Sequence, residues 1–337
     1  MNRLFLVLLC GSGLLVYSLP APGPALPDIS GLVRLDGRTS LVIVDAKGAG
    51  SDVTRLGLLE VTSPNPERSN GNGNSRPPVV RFSPLPIEDL PAGLDPPNDL
   101  EAGCLAAGSP EWLLLAEGGY YKGRFGRIFI CRISRGEDAG WRVSYHNHFH
   151  PFAPDAVADN QPFTSPGEVN IEGMASVACP ERGALLVLSW RGGRNGGLYR
   201  PARLIWGRLA PDAPRPFAPL GGADLTRPNF RLGDRGCADL MVRPISKGWE
   251  VLAVATDDGG DHGPFRSTIY RAGELRLDRE AGLRFRRQKP RPLWTIDGVK
   301  VEAIAPPPDG TPGAALCVGA DDELYGGLWR LLFPPLQ

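Results

Sequence analysis

No charge of either sign predominates in this sequence: 37 Lys and Arg stand against 37 Asp and Glu, a net charge of zero. That balance argues against nucleic acid or an anionic membrane as partner, since both select a basic surface. None of the six cysteines forms a CxxC pair, so the usual zinc framework is absent. No GxSxG elbow and no phosphate-cradling P-loop occurs, which removes two common catalytic devices. Helix signals are scarce. The N-terminal apolar stretch, Leu4 to Val16, is 13 residues long and follows a positive charge at Arg3. It is too short to span a bilayer comfortably and has the form of a secretory signal. Residues 1–25 are therefore expected to be a leader, cleaved after Ser18 or Ala25. Residues 26–337 are expected to form one domain, monomeric and exported to a periplasm or beyond the cell.

What the chain does contain is repetition. Five stretches share one cassette: an apolar residue, a polar or acidic residue, a small or apolar pair, an apolar run, an acidic Gly-rich turn and a second apolar run. They open at Ile29-Ser30-Gly31, Leu100-Glu101-Ala102, Ile171-Glu172-Gly173, Ala238-Asp239-Leu240 and Val301-Glu302-Ala303. From Ser30 to Glu101, Glu172, Asp239 and Glu302 the steps are 71, 71, 67 and 63 residues. Short apolar runs at a near-constant period mark a repeat architecture, here the radial sheets of an all-β propeller. The 43 Gly and 35 Pro fall between the runs, as turn chemistry requires. Each cassette supplies three strands, with a fourth, outer strand in the variable stretch that follows, for example Trp141 to Tyr145. This predicts five four-stranded blades, with room for a sixth in residues 52–95. Residues 62–78 lack apolar side chains to bury and are expected to be a mobile loop. Most of the cysteines sit singly beside apolar runs, as small buried hydrophobes do. One disulfide is possible in an exported chain, with no pair favoured.

Three groups of residues are candidates for chemistry. Glu101, Glu172, Asp239 and Glu302 open the innermost strands, so they could ring the central channel. Such a ring needs a cation or basic residues to neutralise it, and calcium favours several carboxylate oxygens. Alternatively, each acid caps backbone amides of the next blade and serves the repeat itself. The second group lies in the turns: Glu117, Asp257, Asp258, Asp321 and Asp322 suit a cation or a polar ligand, and Lys47, Arg191 and Arg194 at matching turns could meet an anionic group. Asp before Gly equally suits an ordinary tight turn. The third is His146, His148 and His150. Strand alternation places all three on one face, where they could ligate zinc or copper.

The cassettes Asn170-Ile171-Glu172-Gly173-Met174-Ala175 with Leu186 to Gly193, Gly236 to Leu240, and Val301 to Ala305 with Asp321-Asp322 resemble a group of bacterial exported propellers known as a domain of unknown function. That group is distantly similar to the "esterase-like activity of phytase" propellers. The resemblance covers roughly residues 28–333. It implies a propeller and a calcium-dependent phosphoesterase ancestry. The chain departs from the Glu-Gly pattern at Ser30, at Glu101-Ala102, at Asp239-Leu240 and at Glu302-Ala303, so no catalytic residue carries over. The expected function is binding of a small polar ligand or divalent cation, calcium foremost, at the acid-lined face. Alternatives are a metal-dependent phosphoesterase, with Arg191 or Lys47 holding phosphate, and a protein-interaction platform without turnover. The residues leave open whether the chain is an enzyme.

Overall fold

The computed structural model describes residues 5–10, 13–18, 26–46, 53–62, 78–121, 124–137, 139–151, 170–195, 198–226, 231–258, 263–321 and 326–334. Among these there is no helix; five antiparallel sheets form a five-bladed β-propeller. Blade 1 runs from its inner strand outward as Ile29–Arg34, Thr39–Val44, Leu56–Thr62 and Val79–Pro84. Blade 2 is Leu100–Ala106, Ser109–Glu117, Ile128–Arg135 and Trp141–Phe149. Blade 3 is Ile171–Cys179, Gly183–Trp190, Arg203–Leu209 and Phe217–Asp224. Blade 4 is Arg235–Ile245, Gly248–Asp258, Phe265–Asp278 and Gly282–Asp297. Blade 5 has three strands among the described residues, Val301–Ala305, Leu316–Ala320 and Leu328–Leu332.

There is no sixth blade in residues 52–95. That segment gives blade 1 its two outer strands, then sends Ile87–Glu88 alongside Trp141–Phe149 as a parallel fifth strand of blade 2. Most of the expected loop, residues 63–77, lies outside the described residues. Where the sequence predicts an apolar leader, Phe5–Cys10 and Gly13–Ser18 pair as a hairpin separate from the blades. The five inner strands neighbour one another in order, with the fifth beside the first, so the ring is closed. Leu26 bridges to Gly327 at that closure, the Gly327 amide donating to the Leu26 carbonyl at 2.9 Å.

The second strand of each blade explains why its apolar residues are continuous rather than alternating. Successive side chains point to opposite faces of a strand, and here both faces are covered by neighbouring blades. Leu113 and Leu115 pack towards blade 1, while Leu114 and Ala116 pack towards blade 3. The same split occurs at Leu185 and Val187 against Leu186 and Leu188. The core is therefore five separate seams, one between each pair of blades, each with its own apolar cluster. Burying one such Leu stabilises by about 1.5–3 kcal/mol, so the packed side chains of each seam hold its blades together beside the hydrogen bonds that cross it. Cys104, Cys131, Cys179, Cys237 and Cys317 are free and buried in these seams, and no disulfide joins them.

The inner strands line a central channel of about 200 Å³, bounded in its middle by Leu32, Leu105, Met174, Leu240 and Ile304 among others. The side chains that line it there are mostly apolar, and backbone groups supply much of the polar surface. Its chemistry is concentrated at one end, where inner strands begin and second strands finish.

Candidate functional site at the channel mouth

Every inner strand carries a β-bulge near its start. The ladder slips between Ile29 and Gly31, Leu100 and Ala102, Ile171 and Gly173, and Val301 and Ala303. A bulge leaves one residue unpaired and re-aims its side chain. The bulged residues are Ser30, Glu101, Glu172 and Glu302. Blade 4 slips between Arg235 and Asp239. Backbone bonds between blades fix the equivalence there. The Ile171 amide donates to the Gly118 carbonyl at 2.8 Å, and the Cys237 amide donates to the Arg191 carbonyl at 2.9 Å. Cys237 thus takes the place of Ile171, and Ala238, not Asp239, takes the place of Glu172.

Asp239 lies one residue out of the ring, and its surroundings differ accordingly. Its Oδ1 accepts from its neighbour's amide, Leu240 N, at 2.7 Å, and its Oδ2 accepts from Ile304 N of blade 5 at 2.7 Å. Both oxygens are engaged by amides, so Asp239 fastens blade 4 to blade 5. Burial raises its carboxyl well above the usual range, against the pull of those two amides.

Blade 4, with Ala238 at the bulged position, contributes a cation from three residues earlier. The Arg235 guanidinium pairs with Glu302 and lies 3.8 Å from Glu172, the acids of the two flanking blades. Glu172 also meets Arg191 at 3.5 Å and accepts from Asn170 Nδ2 at 2.7 Å. Lys300, buried, lies 3.0 Å from Asp321 and 3.4 Å from Glu302. Blades 3 to 5 thus neutralise their acids internally. Even so, burial pushes the Glu302 carboxyl up to about 8; Arg235 and Lys300 pull it down, and Glu172 and Asp321 push it further up.

The seam between blades 1 and 2 is different. Asp45 follows the second strand of blade 1, Asp99 precedes the inner strand of blade 2, and Glu101 is its bulged residue. The Asp99 amide reaches the Ala46 carbonyl at 3.4 Å, which draws the two blades together here. One oxygen from each of these three acids lies within 4.8 Å of the others. Glu101 keeps some surface on the channel yet is enclosed by protein. Enclosure first, then Glu172, Glu302, Asp45 and Asp99, raise its carboxyl well above the usual range. Gly118 allows this crowding: a Cβ there would stand 2.6 Å from Glu101 Cγ and 2.9 Å from Asn170 Oδ1. In blade 1 the bulged residue is Ser30, buried, with a hydroxyl that has no hydrogen-bond partner.

No protein-family model matches this chain. No curated protein matches it either. Neither comparison therefore supports the expected resemblance to the esterase-like propellers of phytase. Among solved structures, Sqt1 from Chaetomium thermophilum aligns at 12% identity over 88% of this chain and 68% of its own, with a TM-score of 0.34. An exo-1,5-alpha-L-arabinanase from a bovine ruminal metagenomic library aligns at 12% identity over 76% of each chain, with a TM-score of 0.39. The periplasmic gluconolactonase PpgL of Pseudomonas aeruginosa aligns at 14% identity over 99% of this chain and 95% of its own, also at 0.39. The five-blade assignment rests on the strand pairing itself.

The remaining candidates are placed as follows. Glu117 is not a turn acid. It is fully buried at the end of its strand, pairs with Arg127 and accepts from the Asn98 and Arg127 amides at 3.0 Å each. Asp257 is exposed and accepts from the Asp234 amide at 3.1 Å, a turn role. Lys47 and Asp322 lie outside the described residues, as do the side chains of Asp258 and Arg194. Arg191, besides its contact with Glu172, keeps 34% of its side chain exposed, an open cation at the mouth among the described residues. The three histidines do not share a face. A bulge opposite Ile130 and Cys131 falls at His146 and reverses the alternation. His146 then packs on Trp112, in the seam with blade 3, and lies 3.4 Å from Asp212. His148 packs on Phe129, in the seam with blade 1, and bonds Tyr145 Oη at 2.9 Å.

Asp45, Asp99 and Arg235 are not among the candidates that the sequence offers. A legible signal existed for Asp99: the residue just before each opening is Asp28, Asp99, Asn170 or Lys300 in four cassettes, a second polar ring beside the first.

Proposed function

We propose that the channel mouth is a divalent-cation site formed by Asp45, Asp99 and Glu101, over which a small polar ligand binds with its anionic group towards Arg191. The observation that carries this reading is the convergence of three carboxylates at the seam of blades 1 and 2, beside acids whose own cations are already engaged. A cation there would relieve the repulsion that raises Glu101. The donors are all carboxylate oxygens, with no Cys or His among them, which favours a hard ion such as calcium over zinc. The partnerless hydroxyl of Ser30 adds a neutral donor or acceptor within the same ring.

A narrower reading makes the site a metal-dependent phosphoesterase. The ion would lower the pKa of a bound water and Arg191 would hold the phosphate. The accessible guanidinium of Arg191 supports it, together with the cassette resemblance. An interaction platform is the alternative if no small ligand binds. The short apolar N-terminal stretch supports export; among the described residues no helix is long and apolar enough to cross a membrane.

The test is thermal melting after chelation, then with calcium, magnesium, manganese and zinc added singly. A ion that binds only the folded chain at a hundred times its Kd adds about 2.7 kcal/mol. Calcium is expected to raise the midpoint by several degrees, and the double variant Asp99→Asn, Glu101→Gln to abolish the rise. No rise with any ion, or a rise that survives both substitutions, sinks the cation site. Hydrolysis of phosphate esters by the calcium-loaded protein, lost in Arg191→Gln, would select the phosphoesterase.

A further inference from the structure

Blade 4 differs from the other blades in its outer half. Its third and outer strands are 14 and 16 residues long, against five to nine in the corresponding strands elsewhere. Residues 265–297 contain nine Arg or Lys and four Asp or Glu, in a chain of zero net charge. The excess is concentrated further. Arg284, Arg286, Arg287, Lys289 and Arg291 fall within eight residues that include no acid, and all five are exposed.

Their pairing is sparse. Arg284 meets Asp278 at 3.2 Å, and Arg286 lies near Glu274. Arg287, Lys289 and Arg291 make no ion pair. Across the ladder, Arg291 stands opposite Arg271 and Arg284 opposite Arg276. Like charges directly opposite on paired strands are destabilising. Glu250 and Glu274 offset this on the third strand; the outer row keeps its charge. Protecting a sheet edge from pairing is the ordinary reason for such charges. Here Pro290 and Pro292 already interrupt the edge. The outer strands of blades 1 and 2 carry one cation each, Arg81 and Arg142, and that of blade 3 carries none. Edge protection alone therefore does not call for five.

The row is also placed apart from the mouth. Asp258 pairs with Phe265 at the mouth end of the blade, whereas Trp249 pairs with Leu275 at the other end. The cations oppose residues 271–276, towards that far end. They follow the strand at about 3.4 Å per residue, and the ladder slips between Arg287 and Arg291, so the five cations form a row along the edge that does not keep to one face. A line of charge fits an extended polyanion better than a compact ligand. Within Arg284 to Arg291 the one aromatic ring, Phe285, packs into the seam between blades 3 and 4. Stacking platforms of the kind that hold single-stranded nucleic acid are thus absent from the row. Arg forks match carboxylate and phosphate oxygens, and a sulfate group presents a similar tetrahedral set of oxygens.

We propose that the outer edge of blade 4 binds an acidic polysaccharide, a linear glycan bearing carboxylate or sulfate groups along its length. This surface is independent of the cation site at the mouth. The test is binding of the purified protein to immobilised alginate, heparin, neutral dextran and single-stranded DNA at 50 and 200 mM salt. Alginate, heparin or both are expected to bind at the lower salt and to weaken at least tenfold at the higher, as screening shortens; which of them binds identifies the charged group. The triple variant Arg287→Glu, Lys289→Glu, Arg291→Glu should weaken binding at least tenfold with a melting midpoint no lower than that of the unsubstituted protein, since Arg291→Glu places an acid opposite Arg271. Arg81→Glu, on the edge of blade 1, should leave binding intact, as should Asp99→Asn. Absence of binding to both acidic glycans, tighter binding to DNA than to either, or binding that survives the triple reversal would overturn the proposal.

Discussion

At the residue scale, position within the bulge decides what a carboxylate does. Asp239 and Glu172 look equivalent as letters in a repeat, yet a one-residue offset sends one to the next blade's backbone and leaves the other buried against Arg191 and Arg235. Asp239→Ala should leave the Ile304 amide without its acceptor and cost about 1–3 kcal/mol, read as a lowered denaturation midpoint. The mouth acids also set a pH dependence. Glu302, with a pKa near 8 folded and an ordinary value near 4.5, binds more protons in the folded chain than in the unfolded one. Stability must then fall as pH rises through that interval. His148 and His150, lowered chiefly by burial, act in the opposite sense below about pH 6.5. Between pH 6.5 and 8 the raised carboxyls prevail, so melting in chelator should move downward with pH. Calorimetry should show a flatter dependence in Glu302→Gln; an unchanged slope would place the protons elsewhere. The acids that open the cassettes were legible from their period. Asp45 and Asp99 were not read as a pair, because what joins them is the seam between two blades and not any spacing along the chain.

At the scale of the strand, apolar runs were readable because each second strand is covered on both faces, which makes its hydrophobicity continuous. Bulges were not readable. They appear in sequence as nothing more than one extra residue, yet each one inverts the facing of all that follows. His146 shows the consequence: without the bulge three imidazoles would share a face, and with it two of them enter different seams. The Glu117 pair belongs here too, since it joins the second and third strands of blade 2 and ties both to the Asn98 backbone. Removing one member of a buried pair strands the other charge. Arg127→Met should therefore cost about 3–5 kcal/mol in a chemical denaturation measurement.

At the scale of the whole molecule, five near-equal units meet through five seams, and one seam joins the first and last blades. That seam is bordered by the blade with three described strands, and backbone hydrogen bonds cross it at both ends, at the Leu26–Gly327 bridge and from the Asp309 amide to the Gly37 carbonyl at 2.6 Å. The period announced the ring, while the closing geometry was hidden because it involves residues far apart in the chain. The free thiols turn this architecture into something that can be watched. Cys131 sits between blades 1 and 2, Cys104 between 2 and 3, Cys179 and Cys237 between 3 and 4, and Cys317 between 5 and 1. Burial pushes Cys131 up to about 12 and Cys317 up to about 11, so neither reacts while its seam is shut. Alkylation in native buffer, followed peptide by peptide in a Cys10→Ser background, would time the breathing of four seams without any engineered probe. Cys317 is expected to be modified first, and uniform rates across all five would mean that the ring opens as one body.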